Sequence, residues 1–153
     1  MEIRLADLND INPIRELYNE FYAYNANLQP QYYNAATENG VYPQSTIESE
    51  SVDIFVAVEN YVIVGFIHVR EAQTLPYPPI VQHRYAEVVD LIVTESQRRH
   101  GIGSALMEAV KNWSKTRDLD YIELFVLAEA SGEIQFYERE NFKTVSHTMR
   151  YIL

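Results

Sequence analysis

The chain has 153 residues, no cysteine and a formal net charge of −10 at pH 7. By length it reads as a single domain over residues 1–153, and its composition rules out disulfides, thiolate metal sites and a covalent cysteine acyl-enzyme. The charge is uneven, since residues 1–96 carry 4 Lys+Arg against 14 Asp+Glu while residues 97–153 carry 8 of each, so no basic face is offered to nucleic acid. An acidic surface attracts a cationic acceptor such as an amine; it also serves plain solubility.

Taken in order, Glu2–Leu5 alternates polar and apolar residues and predicts a strand. It lacks the apolar core of a signal peptide, and no apolar run is long enough to cross a bilayer, so a cytoplasmic protein without a membrane partner is expected. Asp7 or Asn9–Asp10 can cap a helix running from Ile11 or Pro13 to Tyr24, with Ile14, Leu17, Tyr18 and Phe21 on one face. Residues 25–42, rich in Asn, Gln and Tyr, read as an irregular or partly helical connection. Val52–Val58 and Tyr61–Val69 predict a hairpin across Glu59–Asn60. Leu75–Pro79, with three prolines in it, must be a loop.

A strand over Tyr85–Val93 comes next, then the run Gln97-Arg98-Arg99-His100-Gly101-Ile102-Gly103-Ser104. The following helix places Ile102, Ala105, Leu106, Ala109, Val110 and Trp113 in one apolar stripe. Tyr121–Leu127 predicts another strand, Ile134–Arg139 a short helix, and Phe142–Val145 with Thr148–Leu153 a final strand pair. The order is that of an α/β mixed sheet. The four histidines have no ligand spacing with one another, and no metal is expected.

The turn at 98–104 carries the chemistry. Two glycines let a ligand approach the main chain, and the first helical turn offers N–H groups that lack an intrahelical partner. With the helix dipole and the charges of Arg98, Arg99 and His100, this is a seat for a pyrophosphate. A Rossmann fingerprint is excluded because Leu106 stands where its third glycine is required, and the Gly-Lys-Ser/Thr of a P-loop is absent.

Arg98-Arg99-His100-Gly101-Ile102-Gly103 resembles the Gln/Arg-x-x-Gly-x-Gly/Ala signature of the GNAT family of N-acetyltransferases. Phe136-Tyr137-Glu138-Arg139-Glu140-Asn141-Phe142 resembles that family's Phe-Tyr-Glu-Lys-x-Gly-Phe segment. The resemblance implies the family's fold, a central mixed α+β sheet flanked by helices. It also implies transfer of acetyl directly from acetyl-CoA, as co-substrate, to a primary amine of a small molecule or peptide. Arg98, Arg99, His100, Gly101, Ile102, Gly103 and Ser104 would hold the carrier's pyrophosphate, and the main chain of Leu91, Ile92 and Val93 its pantetheine arm and acetyl group.

Glu87, in Ala86-Glu87-Val88, matches the glutamate base of histone-type members. Asp90, three positions on and therefore expected on the opposite strand face, competes with it, as does a water chain. Tyr137 is the candidate acid for the departing thiolate. Tyr18, Phe21, Tyr22, Tyr24, Tyr32 and Tyr33 fall where the family builds its acceptor wall. The chain departs from the pattern at Ala130 and Glu133, where members often have Asn and Ala, and at Asn141, where they have Gly. A non-catalytic acyl-CoA sensor is the rival reading, and the resemblance leaves a homodimer open.

Overall fold

The computed structural model describes all of residues 1–153. Five strands form one sheet in the order β1 (Glu2–Leu5), β2 (Val52–Glu59), β3 (Val62–Gln73), β4 (Arg84–Val93) and β5 (Ile122–Leu124). The first four pair antiparallel, and β4 pairs parallel with β5. Such a parallel step needs a crossover, and the apolar-striped helix supplies it as α3 (Ile102–Thr116). The mixed α/β sheet read from the sequence is present, and the β2–β3 hairpin turns through Asn60 and Tyr61, both at positive φ.

Helices cover both faces. α3 buries Ile102, Leu106, Met107, Val110 and Trp113 against Ala57, Val64, Ile67, Val69, Ala86 and Val88. On the other face α1 (Ile11–Leu28) buries Ile14, Leu17 and Tyr18 against Ile54, Val56, Phe66 and Ile92. Each such side chain contributes about 1.5–3 kcal/mol by leaving water, so the two layers hold the sheet between them.

Several boundaries differ from expectation. α1 runs on to Leu28, and a short helix, α2 (Gln44–Ile47), follows the irregular segment. Asp7 caps the 3-10 turn before α1, while Asp10 gives its carboxylate to Arg4 at 2.6 Å and to the Asp7 N–H instead of capping the helix. β5 pairs over only three positions, Ile122 to Leu124, because β4 bends away from it beyond Val88. After α4 (Ser131–Arg139) no strand pair forms. No main-chain hydrogen bond involves Lys143–Leu153. The expected strands need a neighbouring edge to pair with, and this chain lays none beside them.

The bend in β4 has a definite origin. Asp90 pairs with His68 and Val88 with Val69, which leaves Val89 as an extra, unpaired residue. A bulge of this kind re-aims the side chains that follow it.

Candidate acetyl-transfer site

Past the bulge, β4 and β5 separate and line a cavity of about 260 Å³. Val88, Val89, Asp90 and Leu91 form one wall and Leu124–Leu127 the other; Phe21, Tyr24 and Tyr33 close one side, and Glu133 and Tyr137 another. The main chain of β4 beyond Val88 has no β5 partner, so its polar groups on that side are available to a ligand laid along the strand. Ile92 is buried in the α1-face core, while Leu91 and Val93 pack toward α3. Their side chains are thus committed to the two cores, and of the three only Leu91 lines the cavity.

The bulge overturns one expectation. Glu87 lies opposite Arg70 and Asp90 opposite His68, two residues apart on β3, so both carboxylates project from the same face of β4. Their surroundings differ. Glu87 accepts a 2.5 Å hydrogen bond from Arg70 Nε and does not line the cavity. Asp90 lines the cavity and accepts a 2.6 Å hydrogen bond from Tyr18 Oη. Burial raises the Asp90 carboxyl above the usual range, against the lowering effect of the Tyr18 bond.

Behind Asp90 stands a polar chain that the sequence did not disclose. Tyr18 Oη is 2.5 Å from Tyr42 Oη, which is 3.2 Å from His68 Nδ1. Burial drives both phenols upward. Burial, with Arg70 nearby, pulls His68 down to about 4. At neutral pH the imidazole is thus uncharged, and the chain can pass or orient a proton without carrying a buried cation.

Tyr137 is held edge-on between Phe136 and Phe142 at the cavity wall. Burial first, then Glu133 and Asp90, raises its phenol, which keeps it protonated. Of the six aromatic residues expected around the acceptor, Phe21, Tyr24 and Tyr33 reach the cavity. Tyr18 supports Asp90, Tyr22 donates to Glu38 at 2.9 Å, and Tyr32 lies under Arg150.

The 98–104 turn connects β4 to α3. None of the N–H groups of Arg99, His100, Gly101, Ile102, Gly103 and Ser104 is taken by a main-chain acceptor, and no side chain caps α3. Six free donors at a helix N-terminus make a strong anion seat. Gly101, at φ +81°, turns the chain into the helix, and a Cβ there would meet nothing within 4 Å. Gly103 does something else: a Cβ on it would come within 3.3 Å of the Phe136 ring, so this glycine lets α4 pack close.

Arg99 and His100 are exposed, and the Ile102 side chain is sunk in the core. Arg98 folds back, donating from Nε to Val93 O at 3.0 Å with its guanidinium 5.4 Å from the Tyr24 ring centre. Ser104 Oγ donates to Glu140 at 2.7 Å, so its main chain is what remains for a ligand. Burial would raise Glu140, but hydrogen bonds from Lys111 and Ser104 outweigh it and hold the carboxyl low.

Comparisons with known proteins agree with this fold. The model of the acetyltransferase (GNAT) family matches residues 11–142. A Methanocaldococcus jannaschii protein described as an uncharacterized N-acetyltransferase is 28% identical over 141 residues, which is 92% of this chain. The chain spans 60% of that relative's length. A tetramutant of a Bacillus halodurans protein superposes with TM-score 0.94 at 24% identity over 100% of both chains. An aminoglycoside N-acetyltransferase in complex with CoA superposes with TM-score 0.76 at 13% identity, covering 99% of this chain and 98% of its own. No helix is long and apolar enough to cross a membrane. With the family model matching 11–142 and the site lying within those residues, the chain belongs to the GNAT acetyltransferase family.

Proposed function

We propose that the chain transfers the acetyl group of acetyl-CoA directly to a cationic primary amine, with Asp90 as base and Tyr137 as acid. The observation that carries this reading is the cavity at the β4 bulge, which a half-buried carboxylate, Asp90, and a half-buried phenol, Tyr137, line together. When bound, acetyl-CoA supplies a thioester-activated acetyl group. The free N–H groups from Arg99 to Ser104 hold its pyrophosphate, with Arg99 and His100 adding charge at the rim. The side of the β4 main chain that faces away from β3, beyond Val88 where β5 no longer pairs with it, aligns the arm.

Phe21, Tyr24 and Tyr33 form the acceptor's apolar wall, and Asp90 and Glu133 supply the negative charge that draws an ammonium in. Asp90 takes a proton from the ammonium and frees its lone pair. Its raised pKa makes it a better base than an ordinary carboxylate. Tyr18 fixes its orientation through the 2.6 Å bond. The Tyr137 hydroxyl donates its proton to the departing sulfur. Glu87, neutralised by Arg70 outside the cavity, is the weaker candidate for the base.

Aminoglycoside N-acetyltransferases among the similar structures put aminosugars beside polyamines at the head of an acceptor screen. The test is release of CoA from acetyl-CoA on adding such amines, alongside calorimetric binding of acetyl-CoA. Binding with amine-dependent release supports the enzyme; binding without release, for any amine, supports a sensor instead.

A further inference from the structure

The connection between α1 and β2 is fastened down where it carries Tyr42. Arg15 donates to Gly40 O at 2.5 Å and to Tyr42 O at 3.4 Å, and Asn19 Oδ1 accepts from the Glu38 N–H at 2.8 Å. The Tyr42 ring is set edge-on to Tyr18, with centres 4.9 Å apart, and stacked on His68 at 5.5 Å. Neither Tyr42 nor His68 lines the cavity. Any part they take in the reaction must therefore pass through Tyr18 to Asp90.

Counting protons along this row gives it a direction. A phenol has one proton to give, a neutral imidazole one, and an ionised carboxylate none. Asp90 Oδ2 therefore receives the Tyr18 proton across their 2.6 Å contact. Tyr18 Oη then has none left for its 2.5 Å contact with Tyr42, so Tyr42 supplies that one. Otherwise two phenol oxygens would face each other at this distance with no proton between them. Tyr42 in turn has none for His68, and the 3.2 Å contact is made by an N–H at Nδ1. A proton on Asp90 Oδ2 would turn every donor round and make Nδ1 an acceptor. Both ends of the row are open: no buried side-chain nitrogen or oxygen lacks a partner, yet neither Asp90 Oδ1 nor His68 Nε2 has one in the protein, so solvent reaches both.

We propose that Tyr42 and His68 are positioning residues for the transfer. Their donors run one way, from His68 Nδ1 through Tyr42 and Tyr18 to Asp90, and pin Oδ2 as an acceptor. Oδ1 is left as the oxygen that takes the ammonium proton. This assignment rests on the reading of Asp90 as the base and adds to it the working oxygen and the residues that select it.

The tautomer of His68 is the first test, and it needs no substrate. Nitrogen-15 NMR of the whole chain at neutral pH should place the ring proton on Nδ1, the His68 signals being those missing from His68→Asn. A proton on Nε2 overturns the proposal, because Asp90 would then hold a proton at rest. Tyr18→Phe releases the Tyr42 proton to His68 and should move the ring proton to Nε2; a ring unchanged in that variant also overturns it. Turnover is the second test, with an amine from the acceptor screen. Tyr42→Phe and His68→Val should each lower kcat about 10-fold, the worth of one hydrogen bond, with the Kd for acetyl-CoA unchanged. An asparagine amide N–H falls near the place of Nδ1, so His68→Asn should recover most of what His68→Val loses. Equal turnover in those two variants would reduce His68 to packing and overturn its role. The two readings fail separately: an Nε2–H ring in an active enzyme removes the positioning row alone, while an Nδ1–H ring with no amine turned over removes the activity.

Discussion

The two halves of the candidate site are built on different principles. The anion seat at 98–104 is made of main-chain donors from one continuous turn, and six successive residues leave their N–H groups free. The acceptor cavity is made of side chains from four elements and their connections, and it exists because one extra residue, Val89, pushes β4 away from β5. The first works through geometry that any side chain at most of its positions would leave intact. The second depends on a few irreplaceable groups. Substitutions at the cavity should therefore cost turnover, and at the seat only those that disturb the turn itself should cost affinity.

The sharpest test of that expectation is Asp90→Asn. It should lower kcat by about 10²- to 10⁴-fold, the range for a positioned base, with the KM for acetyl-CoA little changed. Glu87→Gln, which removes only the partner of Arg70, should leave kcat within a few-fold. The reverse pattern in steady-state kinetics would move the base to Glu87. Because Asp90 is raised by burial, the acid limb of kcat/KM should lie above the ordinary carboxylate range. Acetyl transfer is supported by the ionised form, so activity falls as pH drops through that limb.

Tyr137→Phe should cost about 10²-fold in kcat, the lower end for general acid catalysis, and leave calorimetric binding of acetyl-CoA intact. Full activity in this variant would restrict Tyr137 to packing against Phe136 and Phe142.

At the seat, Gly101→Ala forces a Cβ into a left-handed conformation at φ +81°, at roughly 1–2 kcal/mol. The expected result is a rise of about 10-fold in the Kd for acetyl-CoA and a smaller change in kcat. Gly103→Ala should act on stability instead, since its Cβ would meet the Phe136 ring at 3.3 Å. A drop in thermal midpoint with unchanged affinity would separate the two glycines.

The smallest effect lies behind the cavity. Burial lowers His68 from 6.5 to about 4, so the unfolded chain binds this proton first. The resulting stability is complete above pH 6.5 and declines as pH falls toward about 4. His68→Gln should flatten that part of a plot of urea midpoint against pH. An unchanged slope would remove His68 from the buried polar chain.

The contrast between the halves also explains what could be read in advance. The anion seat is local: Arg98 to Ser104, the β-branched strand before them and the apolar stripe after them lie within one stretch of sequence. The stripe predicted α3, and the structure adds Met107, fully buried at its edge. The partners of Asp90 are not local. Tyr18 lies 72 positions before it and Tyr42 24 after Tyr18. Alternation along a regular strand put Asp90 and Glu87 on opposite faces, and a single unpaired residue put them on the same one. Gly103 likewise resembled a ligand-facing glycine until Phe136 was brought against it from 33 positions away.

By itself the sequence determined the family, the α/β mixed sheet, the apolar stripe of α3 and the turn with free donors, because each depends on neighbours within a few residues or one helical period. Tertiary structure alone decided that β4 bulges at Val89, that Asp90 rather than Glu87 faces the cavity, and that residues 143–153 find no strand in their own chain. Those outcomes depend on which edges meet and in what register, and pairing between distant strands is settled only when the whole sheet has formed.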